Sequence, residues 1–181
     1  MTCAIAYRHP REFAVLAVDG RVTDEHGTIC TDAAVKFVAT GHLTWAFAGD
    51  VGALQAMIAR LQELPAVRLA DVRSAVAARP DGAGEWSALV YDARQHALFS
   101  ADSDGSVLRE HGRYAAIGCA ADFALGFMAG RSAKRAVWTT AQARVELKQA
   151  IKQTARRNAN VSMRSTVLAI SADTGRTNVR G

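Results

Sequence analysis

The chain opens with β-type patterning. Thr2 to Tyr7 and Phe13 to Asp19 are short β-type runs, and the polar turn Arg8-His9-Pro10-Arg11 between them predicts a hairpin. Thr23-Asp24-Glu25-His26-Gly27 reads as a turn or loop by composition. Lys36 to Thr40 and Leu43 to Ala48 form a second predicted strand pair around Gly41-His42, closed by Gly49-Asp50. The period then changes. Val51, Leu54, Met57, Ile58, Leu61 and Leu64 fall at helical spacing until Pro65 stops the run, and Val67 to Ala78 repeats the pattern before Pro80-Asp81-Gly82-Ala83-Gly84.

Strand signals resume at Trp86 to Tyr91, Ala97 to Ser100 and Tyr114 to Ile117, with Asp102-Ser103-Asp104-Gly105 as an intervening turn. A third helix is predicted over Ala120 to Gly130. A fourth covers Thr140 to Arg157, with Val145, Leu147, Ala150, Ile151 and Thr154 on one side and its bases on the other. Ser165 to Ile170 returns to strand, and Thr177 to Val179 pairs beside it. Grouped strands and grouped helices, without regular βαβ alternation, predict an α+β layered sandwich of antiparallel sheets covered by helix pairs. No linker or low-complexity segment interrupts the chain, so one domain over residues 1–181 is expected.

Half of the residues are hydrophobic and 22% are charged, a balance that excludes a disordered chain. Cys3, Cys30 and Cys119 are odd in number and widely spaced, which suggests neither a disulfide framework nor a zinc site. The longest nearly apolar run, Ala115 to Gly130, contains Asp122 and is too short to span a membrane. With no secretory signal at the start, a cytoplasmic location and no membrane partner are expected. The net charge of +5 concentrates late in the chain, but Arg144, Lys148 and Lys152 describe one solvated helix face. No aromatics interleave with them, so a nucleic-acid partner is not expected.

Phosphate loops, GxGxxG, HExxH and GxSxG are absent. Thr2 stands directly behind Met1, and removal of that methionine would leave a threonine carrying a free α-amine. The hydroxyl alone is a poor nucleophile, but an amine on the same residue, with an ordinary pKa near ~8, can take its proton. Around it the chain places Asp19-Gly20-Arg21-Val22-Thr23 after the second strand, Lys36 at the start of the third, and Ala46-Phe47-Ala48-Gly49-Asp50 at the end of the fourth. Ala116-Ile117-Gly118-Cys119 precedes the third helix and Arg156-Arg157-Asn158 ends the fourth.

In this combination the chain resembles the proteasome β-subunit/HslV family of N-terminal-nucleophile hydrolases, over nearly its whole length. The resemblance implies a four-layer αββα sandwich and peptide-bond hydrolysis by Thr2, with its amine as general base. It assigns Lys36 to the lysine that assists proton transfer, Asp19 to the carboxylate that pairs with it, and Gly49 to the oxyanion-site glycine. Arg21 and Thr23 match substrate-binding positions that line the cleft, with Thr23 expected to hold substrate backbone. Cys119 and Asn158 stand where the family carries a serine and an acid, and so enter the candidate catalytic set with altered chemistry. The Asp19-to-Lys36 spacing is slightly longer than the family pattern, so Phe37 competes with Lys36 for the lysine's register.

The resemblance further implies self-association into six- or seven-fold rings, an AAA+ ATPase unfoldase as partner, and unfolded proteins or peptides as substrates. It also implies sodium held by the backbone carbonyls of Arg157, Asn160 and Met163. Two other readings stay open at the level of sequence: a catalytically silent structural ring subunit, and an amidase of the same fold acting on small molecules.

Overall fold

The computed structural model describes residues 2–23, 26, 28–63, 73, 84–133, 137–172 and 177–180. In chain order the elements are β1 (Cys3–Arg8), β2 (Phe13–Asp19), β3 (Val22–Thr23), β4 (Ile29–Thr31), β5 (Phe37–Thr40), β6 (Leu43–Gly49) and α1 (Val51–Glu63). They continue with β7 (Trp86–Asp92), β8 (Ala97–Asp102), β9 (Val107–Glu110), β10 (Tyr114–Gly118), α2 (Ala121–Ser132), α3 (Thr140–Arg157), β11 (Ser165–Ser171) and β12 (Thr177–Arg180).

Two five-stranded antiparallel sheets result, in the orders β10-β1-β2-β11-β12 and β5-β6-β7-β8-β9. Strand alternation sends successive side chains to opposite faces. From β1 and β2, Cys3, Ile5, Tyr7, Phe13, Val15 and Ala17 pack beneath α2 and α3, against Ala124, Met128, Leu147 and Ile151. The intervening Ala4, Ala6, Ala14, Leu16 and Val18 face the other sheet and meet Ala46, Leu89, Tyr91 and Leu98. Alanines on that face let the two sheets approach closely. On the far side of the second sheet, Trp45, Phe47, Trp86 and Val90 pack against Leu54, Met57 and Leu61 of α1. The layers therefore run helices, sheet, sheet, helix, which is the αββα arrangement. The sequence-predicted helix Val67 to Ala78 lies outside the described residues, apart from Arg73, which is helical.

Several local readings differ. Val145 is 58% exposed on α3, and the buried stripe is Ala143, Leu147, Ala150, Ile151 and Thr154. The β3–β4 ribbon and β9 carry too few buried residues to give an alternating signal: Ile29–Thr31 is exposed throughout, and only Val107 of β9 is buried. His96 uses both ring nitrogens. With φ 47° in the β7–β8 turn, its Nε2–H donates to the His9 carbonyl at 2.6 Å while Nδ1 accepts from the Tyr91 hydroxyl at 2.7 Å, tying the hairpin ends of the two sheets together. Among the described residues no helix is long and apolar enough to cross a membrane.

Candidate active site

Thr2 lies just before β1, and its side chain is almost fully buried. Because β1 sits between β2 and β10, its first residues meet the end of β2 on one side and Gly118 on the other. The Cys119 amide donates to the Thr2 carbonyl at 3.2 Å, fixing the Thr2 main chain. Gly118 makes that approach possible: its φ is 92°, and a Cβ there would run into the Thr2 carbonyl.

Asp19 closes β2 with no exposed surface. Its carboxylate accepts from the backbone N–H groups of Cys3 (2.6 Å), Arg21 (2.8 Å) and Ser162 (3.3 Å). Asp19 thus knits the start of β1, the exit of β2 and the segment after α3 into one corner. It acts on Lys36 through its negative charge, which favours the ammonium form, while its hydrogen bonds run to the backbone.

Lys36 lies just before β5 and is 3% exposed. Its Nζ donates to Thr2 Oγ1 and to the Arg21 carbonyl, each at 2.5 Å. Burial pushes its pKa below the ordinary lysine value, with the charges of Asp19 and Asp32 pulling the other way. The neighbouring Phe37 packs with the apolar cluster between the sheets, so the position beside Thr2 belongs to Lys36. Burial also pushes Cys3 up to about 12, helped by the Asp19 charge, and raises Cys119. Both thiols therefore favour their protonated forms.

Gly49 ends β6 at φ 130°, where a Cβ would collide with the Glu85 carbonyl and Trp86 Cα. It borders an open cleft of about 900 Å³ whose walls include Thr2, Arg21, Thr23, Gly49 and Cys119. The Arg21 side chain is not free within it: Nε and Nη2 grip both Asp32 oxygens at 2.8 and 3.0 Å, and Nη1 donates to the Ala159 carbonyl. Asn158 caps the end of α3. Its Nδ2 reaches Cys119 Sγ at 3.6 Å and its Oδ1 accepts from the Asn160 amide at 2.9 Å. Arg157 ends α3, Asn160 and Met163 lie in the segment between α3 and β11, and Asn160 also borders the cleft. Among the described residues no three His, Cys, Asp or Glu side chains gather as a metal site.

By sequence, no family model and no curated protein matches the chain. By structure, it is similar to eukaryotic HslV from Trypanosoma brucei, with a TM-score of 0.72 over 93% of this chain and 99% of that one, at 17% identity. The fold is that of HslV. Within the HslV fold, Thr2, Asp19, Lys36, Gly49 and Cys119 meet at one end of the two sheets, with Asn158 touching Cys119 from the helix side. Such low identity carries the backbone path and not the chemistry, which rests on the distances above.

Three residues of this corner were not singled out from sequence. Gly118 carried a signal, a glycine at the end of a strand. Asp32 and Ser162 carried none, because what matters is their contact with Arg21 and Asp19, far away in the chain.

Proposed function

We propose that this protein is a threonine-type peptidase subunit whose nucleophile is the Thr2 hydroxyl. The observation that carries the reading is the Lys36 ammonium 2.5 Å from Thr2 Oγ1, at the wall of a cleft with room for a peptide. A buried cation beside a hydroxyl lowers the free energy of the alkoxide, and in a water-poor site that effect is large.

In the sequence the Thr2 nitrogen is bonded to Met1. Cleavage of that bond frees the amine, which accepts the Oγ1 proton as Oγ1 attacks the peptide carbonyl carbon. The Gly49 N–H receives the developing oxyanion. Collapse breaks the C–N bond, the proton held by the Thr2 amine passes to the leaving amine, and water then hydrolyses the Thr2 ester. The enclosed, self-assembled architecture belongs to the same proposal: rings of this subunit, an AAA+ ATPase that feeds unfolded chains, and a cytoplasmic setting.

Sodium is a further part of the proposal. Arg157 and Met163 offer no anionic side chain, so the turn would hold a hard cation through backbone oxygens of Arg157, Asn160 and Met163. The ion would stiffen the turn that carries Asn158 and Ser162. Thermal unfolding should then shift upward in sodium chloride relative to choline chloride, and identical curves would remove the ion.

A specific observation favours a second reading, the silent ring subunit: Asn158 directs its amide to Cys119 and supplies no carboxylate beside Thr2. One experiment separates the two. A threonine-directed covalent inhibitor is incubated with the protein and the adduct located by mass spectrometry, with Thr2→Ala as control. An adduct on Thr2 together with peptide hydrolysis supports the peptidase. Retention of Met1 with no adduct supports the silent subunit, and turnover of small amides without peptides supports the amidase.

A further inference from the structure

Lys36 has two acceptors, and only one of them is the Thr2 hydroxyl. The other is the Arg21 carbonyl at 2.5 Å, so the aim of the ammonium depends on where residues 20–22 hold that oxygen. This segment is short and leads directly from β2 into the two-residue strand β3. Two groups pin it. The Arg21 N–H donates to Asp19, and the Arg21 guanidinium is locked by both oxygens of Asp32. Asp32 itself lies four residues before Lys36, on a stretch pressed against Gly20. The Ala34 amide donates to the Gly20 carbonyl at 3.0 Å, and a Cβ on Gly20 would strike the Asp32 carbonyl.

We propose that Asp32 is a positioning residue: by gripping the Arg21 guanidinium at two points, its carboxylate holds the Arg21 carbonyl where it receives Lys36 and so directs the ammonium at Thr2. The chain from Asp32 through Arg21 to Lys36 is continuous in hydrogen bonds, and it closes a loop, because residues 32–36 carry both its first and its last member. A planar guanidinium fork on a carboxylate fixes orientation as well as distance, which a lysine in place of Arg21 cannot reproduce. The Ala159 carbonyl, the guanidinium's other partner, holds a single nitrogen and leaves the fork free to turn once Asp32 is gone.

The inference rests on the reading of Thr2 as nucleophile, so its test has one arm that needs no activity. Lys36 is buried in the parent and should acylate slowly with acetic anhydride, followed peptide by peptide by mass spectrometry. In Asp32→Ala and in Arg21→Lys, Lys36 should label about tenfold faster while the thermal midpoint changes little, and Asp32→Glu should restore slow labelling. In the kinetic arm, Asp32→Ala should lower kcat on a fluorogenic peptide by about 10- to 100-fold with KM nearly unchanged, and Asp32→Glu should recover most of it. Parental labelling of Lys36 in both Asp32→Ala and Arg21→Lys overturns the positioning role. If Asp32→Ala does not fold, Asp32→Asn replaces it in both arms. Absence of peptide hydrolysis in the parent, with Lys36 still loosened in the variants, overturns the peptidase reading and leaves the positioning role standing.

Discussion

Lys36 Nζ stands 2.5 Å from Thr2 Oγ1, and both side chains are almost entirely withdrawn from solvent. A fold holds a lysine under such conditions only with compensation, here the two acceptors and the negative charge of Asp19.

Lys36→Met keeps the volume and removes the charge. On the peptidase reading it lowers kcat/KM on a fluorogenic peptide by roughly 100- to 1000-fold, the usual effect of losing one stabiliser of transition-state charge. A variant with parental kinetics would remove Lys36 from the mechanism.

The same substitution has a signature in stability against pH. Burial lowers the folded pKa of Lys36 below its ordinary 10.5, so the unfolded chain binds that proton more tightly. Below the folded value the destabilisation is complete, and it fades as pH rises from that value to the unfolded one. Lys36→Met should therefore be more stable than the parent at about pH 7, with the advantage shrinking towards about pH 10, as read from urea midpoints. A difference that stays constant or grows with pH contradicts this.

Asp19→Asn turns one of two acceptor oxygens into a donor facing backbone N–H groups. Three such bonds converge on this carboxylate, so the substitution should cost about 2–4 kcal/mol in chemical denaturation. Asp19→Ala should fare no better, since it leaves all three donors unpaired.

Gly118 and Gly41 both have positive φ, 92° and 60°, but their surroundings differ. A Cβ at Gly41 meets nothing within 4 Å, so Gly41→Ala should cost only about 1 kcal/mol of backbone strain. At Gly118 the Thr2 carbonyl stands in the way, and Gly118→Ala should cost about 3 kcal/mol or more and displace Thr2. Equal thermal midpoints for the two variants would refute the assigned contact.

The three thiols should separate in a labelling experiment near neutral pH. Cys30 and Cys119 are both exposed, and Cys30 should react first because desolvation of the Cys119 thiol raises its pKa. Cys3, held at about 12 by burial beside Asp19, should react only on unfolding. Fast labelling of Cys3 in the native protein would show that its corner opens readily.

Local pattern carried much of the fold because each strand's two faces meet different layers. Phe13, Val15 and Ala17 against Ala14, Leu16 and Val18 are all apolar because β2 is covered on both sides. Where an element buries little, the pattern fell silent, as at Ile29–Thr31 and Val107–Glu110. Val145 falls outside the buried stripe because helical period alone does not say where a stripe ends on the helix circumference.

The candidate site divides in the same way. The sequence by itself determined the apolar runs that make two doubly covered sheets, the glycine at 49 that ends a strand, and a threonine directly behind Met1. These are local properties, encoded in neighbouring residues. Only the tertiary structure decided that Lys36, and not Phe37, stands beside Thr2, and that Asp19 binds three amides from three segments. It also decided that Arg21 is held by Asp32. Those relationships join residues distant in the chain, and a one-residue slip of a strand would exchange the faces on which they meet.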